Sequence, residues 1–129
     1  MSMANYGKKI ASVQVVVKPD EYPDVSYLEQ DFEKERLAQY NNGEFYFVGI
    51  YAVAEVLTPC GIDSGNNTCY IINHIRSGGL YGIESDIDED YKKEVQQQEL
   101  SVLSDILKQF GFDEQEIEEK TSHATVKEV

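Results

Sequence analysis

The stretch 77–86 reads Ser77-Gly78-Gly79-Leu80-Tyr81-Gly82-Ile83-Glu84-Ser85-Asp86, three glycines running into an acidic cluster, and this pairing raises two kinds of chemistry. Backbone N–H groups of a glycine-rich turn at a helix start can cradle an anion. Carboxylates that alternate, as Glu84, Asp86, Asp88 and Asp90 do, suit a hard cation such as calcium or magnesium. The acids oppose the first reading, because Glu84, Asp86, Asp88, Glu89 and Asp90 repel phosphate where the glycines would hold it, and no Lys follows as a P-loop requires. The second lacks the central glycine and distant bidentate Glu of an EF-hand loop, and acids in a first helical turn are already favoured by the helix dipole.

Other reactive side chains are sparse. Acid–base work by paired carboxylates needs a further group in a cleft, and His74, in an expected strand, and His123, in an expected tail, stand at no ligand spacing from another His or Cys. Cys60 and Cys69 make no CxxC pair and read as free thiols in a reducing compartment, although they flank a probable hairpin loop and a bridge is geometrically open to them. Asn66-Asn67-Thr68 matches a glycosylation sequon that has no weight without a secretory route. No catalytic residue, metal ligand or cofactor is expected, and the reading is of a non-enzymatic protein.

What remains is charge. The 129 residues hold 24 Asp and Glu against 11 Lys and Arg, a formal net charge of −13. Residues 84–119 carry 13 of the acids and 3 of the bases. Such a field repels nucleic-acid backbones and anionic lipid, so neither direct nucleic-acid binding nor membrane binding is expected. Glu84, Asp86, Asp88, Glu89, Asp90, Glu94, Asp113, Glu114 and Glu116 are therefore the candidate partner-binding residues, facing a basic protein surface. No apolar run reaches the roughly 18 residues of a membrane span, and Met1 to Tyr6 is no secretion signal, so a cytoplasmic location is expected.

The elements that must position these residues follow from periodicity. Residues 8–18 alternate Val13, Val15 and Val17 with Ser12, Gln14 and Val16 as a strand that Pro19 ends. Ser26 and Glu29 form a capping-box pattern for a helix broken near Asp31 and stopped by Asn41-Asn42-Gly43 near Tyr40. Residues 44–57 are β-branched and aromatic on both faces and read as the central strand. A turn-rich loop over 58–68, a strand over 69–75, the Ser77-Gly78-Gly79 turn and a short strand over 80–83 follow.

Ser85 or Asp86 is placed to cap a long helix over 87–110, which Gly111-Phe112 stops. Residues 113–120 read as a short acidic helix and 121–129 as a flexible tail outside a single domain of residues 1–120. The expected class is α+β: an antiparallel sheet of three to four strands with a long C-terminal helix and a shorter N-terminal helix packed on it. A strongly curved sheet around the long helix is the alternative.

Phe45-Tyr46-Phe47-Val48-Gly49-Ile50-Tyr51-Ala52-Val53-Ala54-Glu55-Val56, the 77–86 segment, the acidic helix ending in Phe110-Gly111-Phe112, and Asp24-Val25-Ser26-Tyr27-Leu28-Glu29-Gln30 together resemble an uncharacterised family of small acidic proteins encoded by phages, plasmids and integrated mobile elements. The resemblance spans about three-quarters of the chain and implies a setting, not an activity. Small acidic proteins of such elements include inhibitors of host defence nucleases that imitate nucleic acid. The expectation is a counter-defence inhibitor whose acidic region occupies a basic nucleic-acid-binding site; the alternative is an accessory domain for a small ligand or divalent cation.

Overall fold

A computed structural model describes residues 7–60 and 69–129. The described residues are α+β, with a mixed sheet of five strands and three α-helices. Strand β1 (Lys9–Pro19) pairs antiparallel with β2 (Phe47–Pro59), whose other side carries β3 (Tyr70–Arg76) and β4 (Leu80–Glu84), both antiparallel. These two lie end to end along one edge of β2, interrupted by the glycine turn. At the interruption the buried Ser77 keeps Ala52 satisfied, since its N–H donates to the Ala52 carbonyl at 2.9 Å and its Oγ accepts from the Ala52 N–H at 2.9 Å.

Several expectations need correction. The sheet is not wholly antiparallel, and the chain does not end in a tail: Thr125–Glu128 forms β5, parallel to β1 through Gln14↔Thr125 to Val17↔Glu128. The long helix α2 (Glu89–Gln109) is therefore not the C-terminal element, because α3 (Glu114–Ser122) and β5 follow it. A parallel strand needs a crossover, and α3 is its last part.

The break expected near Asp31 exists. Two short 3-10 turns, Ser26–Glu29 and Asp31–Glu33, precede α1 (Lys34–Asn41). The Ser26 capping box does not form. Val25 occupies the cap position without a side-chain bond, and Ser26 instead donates its N–H and Oγ to Asp24 Oδ1 at 3.0 and 2.7 Å. An Asx turn has replaced the cap. Likewise Asp88, not Ser85 or Asp86, caps α2 by accepting from the Asp90 N–H.

The stop at Gly111 is as read. Gly111 lies at φ +86°, its N–H reaches the Lys108 carbonyl at 3.0 Å, and the Phe112 N–H reaches that of Leu107 at 3.1 Å, the two bonds of a Schellman motif. Phe112 is thereby delivered into the core, with Leu103, Leu107 and Ile117 against Ile10, Val13, Ala52, Ala54 and Val56. Val95 continues this layer over Val15, Val48, Ile50 and Ile83. Thus α2 and α3 cover one face of the sheet.

Helix α1 does not join them. Alternation along β2 sends Phe47 to the opposite side from Val48, and there Leu28, Phe45 and Phe47 make a small separate core with Leu37 and Tyr40. The loop expected over 58–68 begins later than read, since Thr58 and Pro59 belong to β2 and pair with Ile71 and Tyr70, and the rest of it with its sequon, residues 61–68, lies outside the described residues. Cys60 and Cys69 are exposed free thiols, joined through the Cys60 N–H to the Cys69 carbonyl at 3.0 Å. No helix is long and apolar enough to cross a membrane among the described residues.

Candidate functional site

The nine candidate carboxylates are not equivalent once folded. Glu84, at the end of β4, and Asp86, in the turn before α2, both close on Arg36 of α1. Arg36 Nε donates to Glu84 Oε1 at 2.6 Å, Nη1 donates to Asp86 Oδ2 at 2.9 Å, and Nη2 makes a very short contact with Asp86 Oδ1. The guanidinium also lies 3.6 Å from the centre of the Phe45 ring. Its hydrogen bonds hold the Asp86 carboxyl below the ordinary carboxylate range. Burial, and then the hydrogen bond from Tyr27 Oη to Glu84 Oε2 at 3.0 Å, push the Tyr27 phenol up to about 12.

Further acids serve the helices. Asp88 caps α2, and Asp113 caps α3 by accepting from the Glu116 N–H at 3.3 Å. Glu89 pairs with Lys92 at 3.4 Å and Glu114 with Lys108 at 3.8 Å. Glu116 reaches across to β1, where its Oε2 accepts from the Ile10 N–H at 3.2 Å, next to the irregularity in the β1–β2 register. Of the nine, Asp90 and Glu94 accept no bond from a described group.

Both alternative chemistries meet the same geometry. The Gly79 N–H donates to Glu99 Oε1 of α2 at 2.8 Å, so the glycine turn receives an anion from its own chain. Arg36 takes Glu84 and Asp86, and no cluster of three or more His, Cys, Asp or Glu side chains suited to a metal occurs among the described residues. His74 is exposed beside Glu55 at 3.9 Å, and the His123 ring lies 2.8 Å from the Glu119 carbonyl.

Residues outside the nine complete the acidic surface. Helix α3 folds back along α2, so that Glu118, Thr121 and Ser122 share a groove with Gln97, Leu100, Ser101 and Ser104. This sets the exposed Glu118 beside the outer stripe of α2 that carries Asp90, Glu94 and Asp105, with the exposed Glu119 next to it along α3. None of these five carboxylates contacts a described cation. The signal was present in the sequence as the i, i+4 spacings Asp90–Glu94 and Glu114–Glu118, which put like charges on one helix face.

The opposite face of the sheet has the opposite character. Lys9 sits over the Tyr70 ring at 4.8 Å, while Lys18 and Arg76 lie over Tyr51 at 5.5 and 3.6 Å, and Arg76 also donates to Tyr81 Oη at 2.8 Å. Lys9, Lys18 and Arg76 are thus held over aromatic rings on this face. Comparison with protein-family models, with curated proteins and with solved structures finds no match to this chain.

Proposed function

We propose that this protein is a non-enzymatic binding protein whose acidic helical surface occupies the basic nucleic-acid-binding site of another protein, as a counter-defence inhibitor of a mobile element would. One observation carries the reading: after the fold's own use of its acids, Asp90, Glu94, Asp105, Glu118 and Glu119 are left on the outer surface of α2 and α3 without a described partner. Acids in a first helical turn have a dipole reason to be there. Glu94, Asp105, Glu118 and Glu119 lie beyond the first turns and have none. Like charges grouped at this cost favour a partner of opposite sign, with fast and salt-sensitive association. Glu84 and Asp86, committed to Arg36, leave the binding set.

The test is competition. Labelled duplex DNA is bound to each of a panel of host defence nucleases, and displacement by the protein is followed at rising salt. Displacement is expected at low ionic strength, and the variant E94Q/D105N/E118Q/E119Q should lose it at unchanged melting temperature. Absence of displacement across the panel, or a variant that competes as well as the parent, defeats the proposal.

A further inference from the structure

The two edges of the sheet that no described strand covers are built differently. Strand β5 is four residues long and carries Lys127 and Glu128, the short, charged form that discourages pairing with another chain. Strand β3 has no such protection. Its seven residues, Tyr-Ile-Ile-Asn-His-Ile-Arg, contain no Pro, Lys, Asp or Glu, and Tyr70, Ile71 and Ile72 are 37%, 53% and 57% exposed.

Its hydrogen-bond phase is determined by its ends. The Cys60–Cys69 and Ala52–Ser77 pairs are bonded across β2 and β3, and bonded pairs recur at every second residue of an antiparallel ladder. Ile71, Asn73 and Ile75 therefore bond inward to β2. Tyr70, Ile72, His74 and Arg76 direct their N–H and C=O groups out of the sheet edge, and no described strand meets them.

We infer that β3 pairs antiparallel with β3 of a second copy, about a two-fold axis at Asn73. In this register Ile72 faces His74′ and Tyr70 faces Arg76′, so the outward backbone groups of all four residue types meet as bonded pairs (primes mark the second copy). On the helix side Ile71 faces Ile75′. There a cavity of about 280 Å³, lined by Lys8 and His74 as well as by Val56, Ile75, Phe110 and Phe112, opens beside the strand, and Phe110 is half exposed. The side chain of Ile71′ fills that space.

Side-chain chemistry favours this register. Arg76, the only permanently charged side chain of β3, meets the Tyr70′ ring, whose face Lys9′ already shares, and no charge on β3′ itself; shifting the axis to His74 would set two histidines face to face. Pairing β3 with β5′ would run head to tail and leave an open filament, whereas β3 with β3′ closes. A contact of seven residues a side lies at the small end of specific interfaces, so a dissociation constant on the order of 10–100 µM is expected.

The test uses the full chain with Cys60 and Cys69 changed to Ser. Asn73 faces its own copy as a non-bonded pair, with Cα atoms about 4.5 Å apart, inside the disulfide range. N73C should give a covalent dimer under mild oxidation, and I71C, whose partner is Ile75′, should not. Sedimentation should show a concentration-dependent dimer that weakens at least tenfold in H74P, which removes an outward N–H alone, and in I72K, should H74P fail to fold. A protein that stays monomeric at concentrations well above this constant, folded edge variants that dimerise like the parent, or equal cross-linking of I71C and N73C overturns the inference.

Discussion

Replacing Arg36 with Met tests whether the acidic turn is held by this one guanidinium. Met keeps an apolar stem over the Phe45 ring and removes the charge and its donors. The side chains of Arg36, Glu84 and Asp86 are 26%, 24% and 45% exposed, which discounts the charge-assisted bonds from their buried worth. Loss of the bidentate Asp86 contact, the Glu84 bond and the ring contact, with Glu84 and Asp86 left to repel each other, sums to about 2 kcal/mol. For a domain of this size that lowers the melting temperature by roughly 6–10 °C.

The pH dependence has a definite sign. Asp86 has a folded pKa below its unfolded value of about 3.9. Its contribution is therefore complete above that value and lost as pH falls through the folded one. Circular-dichroism melts should show the gap between parent and R36M narrowing as pH falls below about 4. A cycle of R36M, D86N and the double variant should return a coupling near 1 kcal/mol at neutral pH. Equal melting temperatures at pH 7, or additive single variants, refute the reasoning.

Gly49 makes room for an aromatic ring, since a Cβ there would lie 2.1 Å from Tyr81 Cδ1. G49A should cost about 1–3 kcal/mol by displacing that ring and its bond from Arg76, and G49A/Y81A should lose less than the sum of the single changes, as chemical denaturation would show. One tyrosine should ionise near pH 12 in an ultraviolet titration, and Y27F should remove that step. A raised phenol pKa contributes stability below about pH 10 that is lost as pH rises through 12, so alkaline melts should fall over that interval in the parent and less in Y27F.

Local signals in the sequence carried much of the fold. Val13 and Val15, the twofold-buried run of β2, and the Gly111-Phe112 stop depend on neighbours within a few residues, and each element they announce is present. What the sequence hid is non-local. Thr125–Glu128 is exposed at every residue and becomes a strand only because β1 offers a free edge over a hundred residues earlier. Nothing in its own pattern announces that. Arg36 is likewise an ordinary exposed-face residue by spacing, yet it lies 48 and 50 positions from the two carboxylates it engages. A count of acids therefore overstated the free charge near Asp86, and the nine candidates passed over Glu118, which fold-back of α3 brings to the outer stripe of α2, and its exposed neighbour Glu119.

The edge pairing and the acidic surface act on one another through geometry. A two-fold axis normal to the sheet leaves both helical layers on the same side, so the dimer would present two acidic surfaces to one partner or to two. Each copy carries −13, and bringing two together works against the edge contact until salt screens it. Added salt should therefore strengthen self-association while weakening capture of a basic partner. A single salt series, followed by sedimentation for one and by DNA displacement for the other, should give slopes of opposite sign. Slopes of the same sign would mean that the helical acids do not govern partner binding, or that charge rather than the β3 edge holds the two copies together.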